Sequence, residues 1–199
     1  MIDLTENQAL RYRLEEIVDA HADDADIRRQ LVLIEGLKDS FRHSISPVAE
    51  AIPGREETYR YTCFQHAFEL MDPPADIVRI ATRYPHVYPS ADFVKYMIRE
   101  ALTEVSPSEV ESGNVVVYAH AGRIRHAGKV DGESIVSKWG VGHLWRHPVF
   151  EVPTRYGASV RFFRSLPSGG GVSSFMAYAR ETLGSRAVEA LLRQDKPGA

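Results

Sequence analysis

Cys63 is the residue of this sequence best placed to act as a nucleophile. It follows Thr62, and the stretch Thr62-Cys63-Phe64-Gln65 matches the capping box Ser/Thr-x-x-Gln, which predicts the sulfur in the first turn of a helix. Free backbone N–H groups and the positive end of the helix dipole stabilise an anion there. A free thiol titrates near about 8.5, and such a position lowers its pKa. The sequence therefore predicts a reactive thiolate, with an inert apolar cysteine as the alternative.

A base for this thiol is predicted on a downstream hairpin. Asp131-Gly132 predicts a two-residue turn between strands 123–130 and 133–139. In that register His126 lies directly opposite Ser137 and shares one face of the sheet with it. The serine hydroxyl then binds one imidazole nitrogen and leaves the other to face the thiol. Nucleophile, base and orienting group are the three parts of covalent catalysis.

Further candidate residues surround this pair. Trp139 is predicted on the same face as the base, where it would wall the pocket. Tyr61 is a candidate for contacting the substrate or, with the backbone N–H of Cys63, for binding an oxyanion. His66 follows Cys63 by three residues on the same side of the helix, close enough to change the pKa of the thiol. Counting along the sequence from His126 makes Lys138 an alternative third catalytic residue, but strand alternation predicts its side chain on the opposite face of the sheet.

Histidine spacing suggests a zinc site as an alternative. His143 and His147 have the i, i+4 spacing of a helical zinc pair, and His120 or His126 would supply a third ligand. Glycines and a proline surround the pair and disfavour a helix there. His147 is therefore predicted in a loop, where it is a further candidate for the third position beside the base.

Composition excludes several classes of protein. The chain has 199 residues, enough for one domain, with 24 Lys and Arg against 27 Asp and Glu, so no basic surface for nucleic acid is expected. A single cysteine excludes a disulfide scaffold and a CxxC zinc site. The first residues are neither basic nor apolar, and no stretch approaches the length of a membrane span. A soluble, cytoplasmic protein without signal peptide is expected.

The periodicity of apolar residues predicts helices, then strands, then a helix. Helices are predicted over 5–20, 24–42, 62–71, 74–84, 90–103 and 173–193, and strands over 115–118, 123–130, 133–139 and 158–164. Ser168-Gly169-Gly170-Gly171 is predicted to be a flexible joint. These elements divide the chain into an N-terminal helical extension (1–55), a core (56–166), and a joint with a C-terminal helix (167–199).

Three segments of the sequence resemble, in their order along the chain, segments of a known protein family. They are Tyr61-Thr62-Cys63-Phe64, Gly113-Asn114-Val115-Val116-Val117-Tyr118 and Arg125-His126-Ala127-Gly128-Lys129-Val130. In order and spacing they resemble the nucleophile helix, the preceding strand and the histidine strand of NlpC/P60-like cysteine peptidases, within the papain-like superfamily. Ser137-Lys138-Trp139-Gly140 and Arg146-His147-Pro148 are similar to segments of uncharacterised members. The resemblance covers about residues 58–164, and Asn114 stands where the family has an acidic residue.

The resemblance implies an α+β domain of papain-like type, with an N-terminal helical hairpin and a C-terminal helix added. It implies a cysteine hydrolase of amidase or peptidase type that acts on a peptide-like or acyl substrate without a cofactor. Cys63 would be the nucleophile, His126 the general base and Ser137 the group that holds the imidazole. An acyltransferase, a zinc hydrolase and a non-catalytic interaction or immunity module remain alternatives.

Overall fold

An antiparallel sheet with helices on both faces forms the fold. The computed structural model describes residues 4–18, 24–48, 61–140 and 142–193. The helices are α1 (Leu4–Ile17), α2 (Asp24–Gly36), α3 (Cys63–Ala67), α4 (Ala75–Arg83), α5 (Ala91–Glu100), α6 (Gly170–Leu183) and α7 (Ser185–Arg193). The strands are β1 (Ser46–Pro47), β2 (Glu104–Val105), β3 (Val115–His120), β4 (Arg123–Asp131), β5 (Ser134–Lys138), β6 (Leu144–His147) and β7 (Ser159–Phe163). The expected α+β class is confirmed.

The strands follow one another across the sheet in the order β1-β6-β5-β4-β3-β7-β2. Because side chains alternate along a strand, each face has its own core. Val115 and Val117 pack into one core with residues of α3 to α7, whereas Val116 and Tyr118 pack into the other with residues of α1 and α2. The helix that begins at Cys63 and the N-terminal helices therefore lie on opposite faces.

The N-terminal helices complete the second core. Leu10 and Leu14 of α1 and Ile34 of α2 are buried against it. The short strand β1 then adds to the sheet edge beside β6. The boundary predicted at residues 55 and 56 lies outside the described residues. Among those that are described, no helix is long and apolar enough to cross a membrane.

The predicted helix over 62–71 is too long. In the structure α3 ends at Ala67, and Glu69 has a φ of 57°. This left-handed conformation is incompatible with a continuing right-handed helix. The first helix likewise ends at Ile17, before the predicted end at residue 20, and a 3-10 turn (Leu37–Asp39) replaces the last turns of the second.

The predicted flexible joint at 168–171 is wrong. Gly169 has a φ of 73°, and α6 begins directly after it at Gly170. Gly171 is buried in that helix, where a Cβ atom would lie 1.9 Å from the carbonyl oxygen of Phe68. The glycines therefore allow a sharp turn and a close approach of two helices. The predicted single closing helix is two, because Gly184 ends α6 at a φ of 83°.

Gly171→Ala is expected to lower the free energy of unfolding by about 3 kcal/mol, because the added methyl group has no space beside Phe68. Chemical denaturation of the variant and of wild type measures this difference. Gly36→Ala is the matched control: its Cβ meets no heavy atom within 4 Å, at a helical φ of −62°. That control should be neutral or more stable by up to about 1 kcal/mol. Equal effects of the two substitutions would contradict the packing assigned to Gly171.

Candidate active site

Cys63 is the first residue of α3, as the capping box predicts. The hydroxyl of Thr62 accepts a hydrogen bond from the backbone N–H of Gln65 at 3.2 Å, and the Gln65 side chain accepts one from the backbone of Thr62 at 2.9 Å. The cysteine is free and partly exposed. The backbone N–H of Ala127 on β4 points to its sulfur. Helix α3 thus places the thiol against the residue that follows His126.

His126 and Ser137 contact each other, although the predicted register of their strands is wrong. The turn residues are Gly132 and Glu133, which shifts the pairing of β4 with β5 by two residues. A shift of two keeps every side chain on its face of the sheet, so Ser137 becomes a diagonal neighbour. His126 Nε2 and Ser137 Oγ lie 2.9 Å apart, both buried. Gly128 permits this approach, because a Cβ there would lie 2.8 Å from the Cβ of Ser137.

Two tyrosine rings flank the imidazole. Tyr156 stacks on His126 with ring centroids 3.8 Å apart and an interplanar angle of 4°, and Tyr118 lies at 5.4 Å. The hydroxyl of Tyr156 accepts a hydrogen bond from the backbone N–H of Gly140 at 3.0 Å. Sequence reasoning missed Tyr156, because it lies in a 3-10 turn (Thr154–Tyr156) with no strand or helix periodicity. The stacking holds the ring of His126 in one plane.

Ser137 connects the imidazole to a second buried histidine. Its Oγ lies 2.8 Å from His147 Nε2, and it accepts a hydrogen bond from the indole N–H of Trp139 at 3.0 Å. His147 Nδ1 lies 2.8 Å from the carbonyl oxygen of Pro148. His147 belongs to β6, so the loop predicted for this segment is wrong. Trp139 is on the predicted face, but it is fully buried, donates a hydrogen bond to Ser137 and does not line the cavity that contains Cys63.

Cys63 and His126 line one cavity of about 480 Å³. Tyr61 and Tyr156 are also part of its wall, as is Ser90 at the start of α5. Tyr61 therefore lies on the wall of the same cavity as the thiol. A cavity open to both a thiol and an imidazole has the parts required for acyl transfer.

Burial dominates the titration of both groups. Although Cys63 is partly exposed as a residue, protein surrounds its sulfur, and this desolvation raises the pKa of the thiol to about 11. The backbone N–H groups of Ala127, Phe64 and Cys63 favour the thiolate but do not outweigh the burial. Desolvation also lowers the pKa of His126 well below its ordinary value, with smaller contributions from His147 and His66. Burial therefore opposes the predicted resting thiolate, because it favours the neutral thiol of Cys63 and the neutral imidazole of His126.

Two further candidates, His66 and Lys138, lie beside Tyr61. His66 is buried in α3 with its ring 6.2 Å from that of Tyr61, and its electrostatic effect acts on the pKa of His126. Lys138 lies on the opposite face from Ser137, as predicted, with its Nζ 4.2 Å from the Tyr61 ring centroid. The third polar group at the imidazole is therefore Ser137 and not Lys138.

The zinc set that histidine spacing suggests is not assembled. His147 is on a strand, so a residue four positions away lies about 13 Å along the chain and not on the next helical turn. Both ring nitrogens of His147 bind protein atoms, and His143 packs on Trp145 at 5.8 Å. Among the described residues, no group of three metal-binding side chains comes together.

Helix α1 holds the turn that carries Tyr156. The Glu15 side chain accepts hydrogen bonds from the hydroxyl of Thr154 at 3.1 Å and from the backbone N–H of Arg155 at 2.8 Å. On the same helix, Arg11 donates to the carbonyl oxygens of Val152 and Gly157. These contacts tie the N-terminal helix to the residue stacked on the imidazole.

A larger cavity of about 660 Å³ lies between α1 and the segment after β6. Its wall includes Arg11, Glu151 and Phe150. The guanidinium of Arg11 is engaged by backbone carbonyls, and Glu151 accepts a hydrogen bond from the backbone N–H of Ser44. None of its described lining residues is a cysteine or serine, whereas the smaller cavity is lined by Cys63.

Comparison of the chain with protein-family models, with curated proteins and with solved structures finds no match. The function is therefore inferred from the arrangement of the side chains in the site.

Proposed function

We propose that the protein is a cysteine-dependent hydrolase of amidase or peptidase type, with the NlpC/P60-like arrangement that its sequence resembles. The observation that carries this proposal is the shared cavity of Cys63 and His126, with the imidazole bonded to Ser137 behind it. Because Nε2 of the imidazole binds Ser137, Nδ1 is the nitrogen available to the thiol. A peptide-like or acyl substrate fits a site with a thiol nucleophile.

The reaction begins from the neutral pair. As the Cys63 sulfur attacks the carbonyl carbon, its proton moves to His126, and the carbonyl oxygen becomes an oxyanion. The backbone N–H of Cys63 at the start of α3 is the candidate donor to this oxyanion. Collapse of the tetrahedral intermediate breaks the bond to the leaving amine, which takes the proton from His126. Water, deprotonated by His126, then attacks the acyl-cysteine, and the proton returns to the sulfur.

The raised pKa of Cys63 and the lowered pKa of His126 are consistent with a thiol that loses its proton during the attack. A thiol with a pKa of about 11 is a poor leaving group and a strong nucleophile once its proton is removed. A neutral His126 is the protonation state that can take that proton. The low pKa of the imidazole also favours return of the proton to the leaving group.

Acyl transfer to Cys63 is tested with activated acyl compounds. p-Nitrophenyl acetate and a panel of aminoacyl p-nitroanilides serve as substrates, and mass spectrometry locates the acyl group. Wild type is expected to form an acyl-cysteine at Cys63, and Cys63→Ala to lose all activity. His126→Gln should lose about 10²- to 10⁴-fold in kcat/KM, whereas His120→Gln, an exposed imidazole outside this cavity, should match wild type. Activity that survives in Cys63→Ala would contradict the proposal.

A non-catalytic interaction module is the second candidate. The observation that favours it is the burial of His126, which is only 1% exposed, beside a thiol whose pKa is raised. In that case none of the acyl compounds modifies native Cys63, and Cys63→Ala leaves the biological effect of the protein intact.

An acyltransferase differs only in the acceptor of the second step, so addition of amine or thiol acceptors to the same assay distinguishes it from a hydrolase.

A further inference from the structure

Ser137 is surrounded by three nitrogen atoms, and this determines where the protons of the network lie. Its Oγ lies 2.9 Å from His126 Nε2, 2.8 Å from His147 Nε2 and 3.0 Å from Trp139 Nε1. A hydroxyl donates one hydrogen bond and accepts two. The indole N–H can only donate, so it takes one acceptor position. The two histidines therefore share one remaining acceptor position and the single O–H donor.

The carbonyl of Pro148 determines which histidine accepts the hydrogen bond of the Ser137 hydroxyl and which one donates to it. A carbonyl oxygen only accepts, so His147 carries its proton on Nδ1, which lies 2.8 Å from that oxygen. Burial lowers the pKa of His147 to about 4, so at neutral pH its Nε2 has no proton and accepts from Ser137. The hydroxyl then accepts from His126, which must carry its proton on Nε2. Its Nδ1 then has no proton and keeps its lone pair.

We propose that His147 is a positioning residue that, through Ser137, holds His126 as the Nε2-protonated tautomer with the lone pair of Nδ1 available to Cys63. The order of donation runs from His126 Nε2–H to Ser137, from the Ser137 hydroxyl to His147 Nε2, and from His147 Nδ1–H to the Pro148 carbonyl. This inference rests on the proposed function for its catalytic meaning, but the tautomer itself is a property of the folded protein.

Loss of the acceptor on His147 is expected to reverse the direction of the hydrogen bond between Ser137 and His126. In His147→Leu the side chain keeps a similar volume but accepts no hydrogen bond, so the Ser137 hydroxyl is free to donate to His126 Nε2. The imidazole then carries its proton on Nδ1, and it cannot accept the proton of the thiol. His147→Gln is the conservative variant, because its side-chain oxygen still accepts from Ser137.

Nitrogen-15 NMR of histidine-labelled full-length protein at pH 7 tests the proposal directly. Wild type should show His126 protonated at Nε2 and His147 protonated at Nδ1. His147→Leu should shift the His126 proton to Nδ1, and His147→Gln should keep the wild-type tautomer. Wild-type His126 protonated at Nδ1, or a His147→Leu spectrum with His126 unchanged, would overturn the proposal.

Kinetics with p-nitrophenyl acetate supply a second readout. His147→Leu should lower kcat by at least about 10-fold at an unchanged KM, and His147→Gln should recover most of that loss. A wild type that turns over none of the acyl compounds defeats the proposed hydrolase, while the NMR result still decides the tautomer. Equal kcat values for wild type and His147→Leu would overturn the role of His147.

Discussion

Acidification from pH 7 to pH 4 is expected to lower the free energy of unfolding by about 3 kcal/mol through His147 alone. The folded pKa of His147 is about 4 against an ordinary value of 6.5, because burial disfavours the imidazolium. Each pH unit between these values corresponds to about 1.4 kcal/mol. His126 acts in the same direction, since burial also lowers its pKa well below 6.5.

The sign follows from proton binding. Between pH 6.5 and pH 4 the unfolded chain binds a proton at His147 and the folded protein does not, so protons favour unfolding. The stabilising contribution is complete above the unfolded pKa and is lost as the pH falls toward the folded one.

Urea denaturation at pH 7 and at pH 4 measures this loss. His147→Gln removes the titrating group, so it should be less sensitive to acid than wild type by about 3 kcal/mol. A pH dependence in His147→Gln as steep as in wild type would show that His147 does not titrate as its burial requires.

Alkylation of native Cys63 by iodoacetamide is expected to follow an apparent pKa near 11, above the ordinary value of about 8.5 to 9. At neutral pH the thiolate fraction is then about 100-fold smaller than in the unfolded chain, because each pH unit changes it tenfold. The rate should rise steadily up to about pH 11, as long as the protein remains folded.

The matched control is the same protein in concentrated urea, where the thiol has its ordinary pKa. His126→Gln should leave the apparent pKa of Cys63 in the native protein nearly unchanged, because a neutral imidazole does not stabilise a thiolate. An apparent pKa below the ordinary one that rises in His126→Gln would instead indicate a thiolate–imidazolium pair.

Local rules predict the parts of the site that local geometry determines. The capping box places Cys63 at the start of α3, because both of its hydrogen bonds join residues three positions apart. Strand alternation places Ser137 on the face of His126 and Lys138 on the other, and this parity survives the error of two residues in register. Motifs that depend on parity or on one helical turn are therefore recovered correctly.

Long-range packing determines the rest of the site. His147 enters it because β6 pairs with β5, yet the glycines and proline around this segment favour a loop. Tyr156 enters through a 3-10 turn that Glu15 holds from the other end of the chain. The raised pKa of the thiol comes from the protein around it, whereas the capping motif describes only the helix start. None of these effects has a signal within a short window of sequence.

The hydrogen bonds between α1 and the turn that contains Tyr156 have a consequence for synthesis on the ribosome. The hydrogen bond from the Arg155 backbone to Glu15 joins residues 140 positions apart. Contacts of this sequence separation form late, because a long loop must close before they contribute. A nascent chain can carry Cys63, His126 and Ser137 well before this turn emerges from the exit tunnel. The stacking of Tyr156 on His126 is therefore completed only after most of the polypeptide has been made.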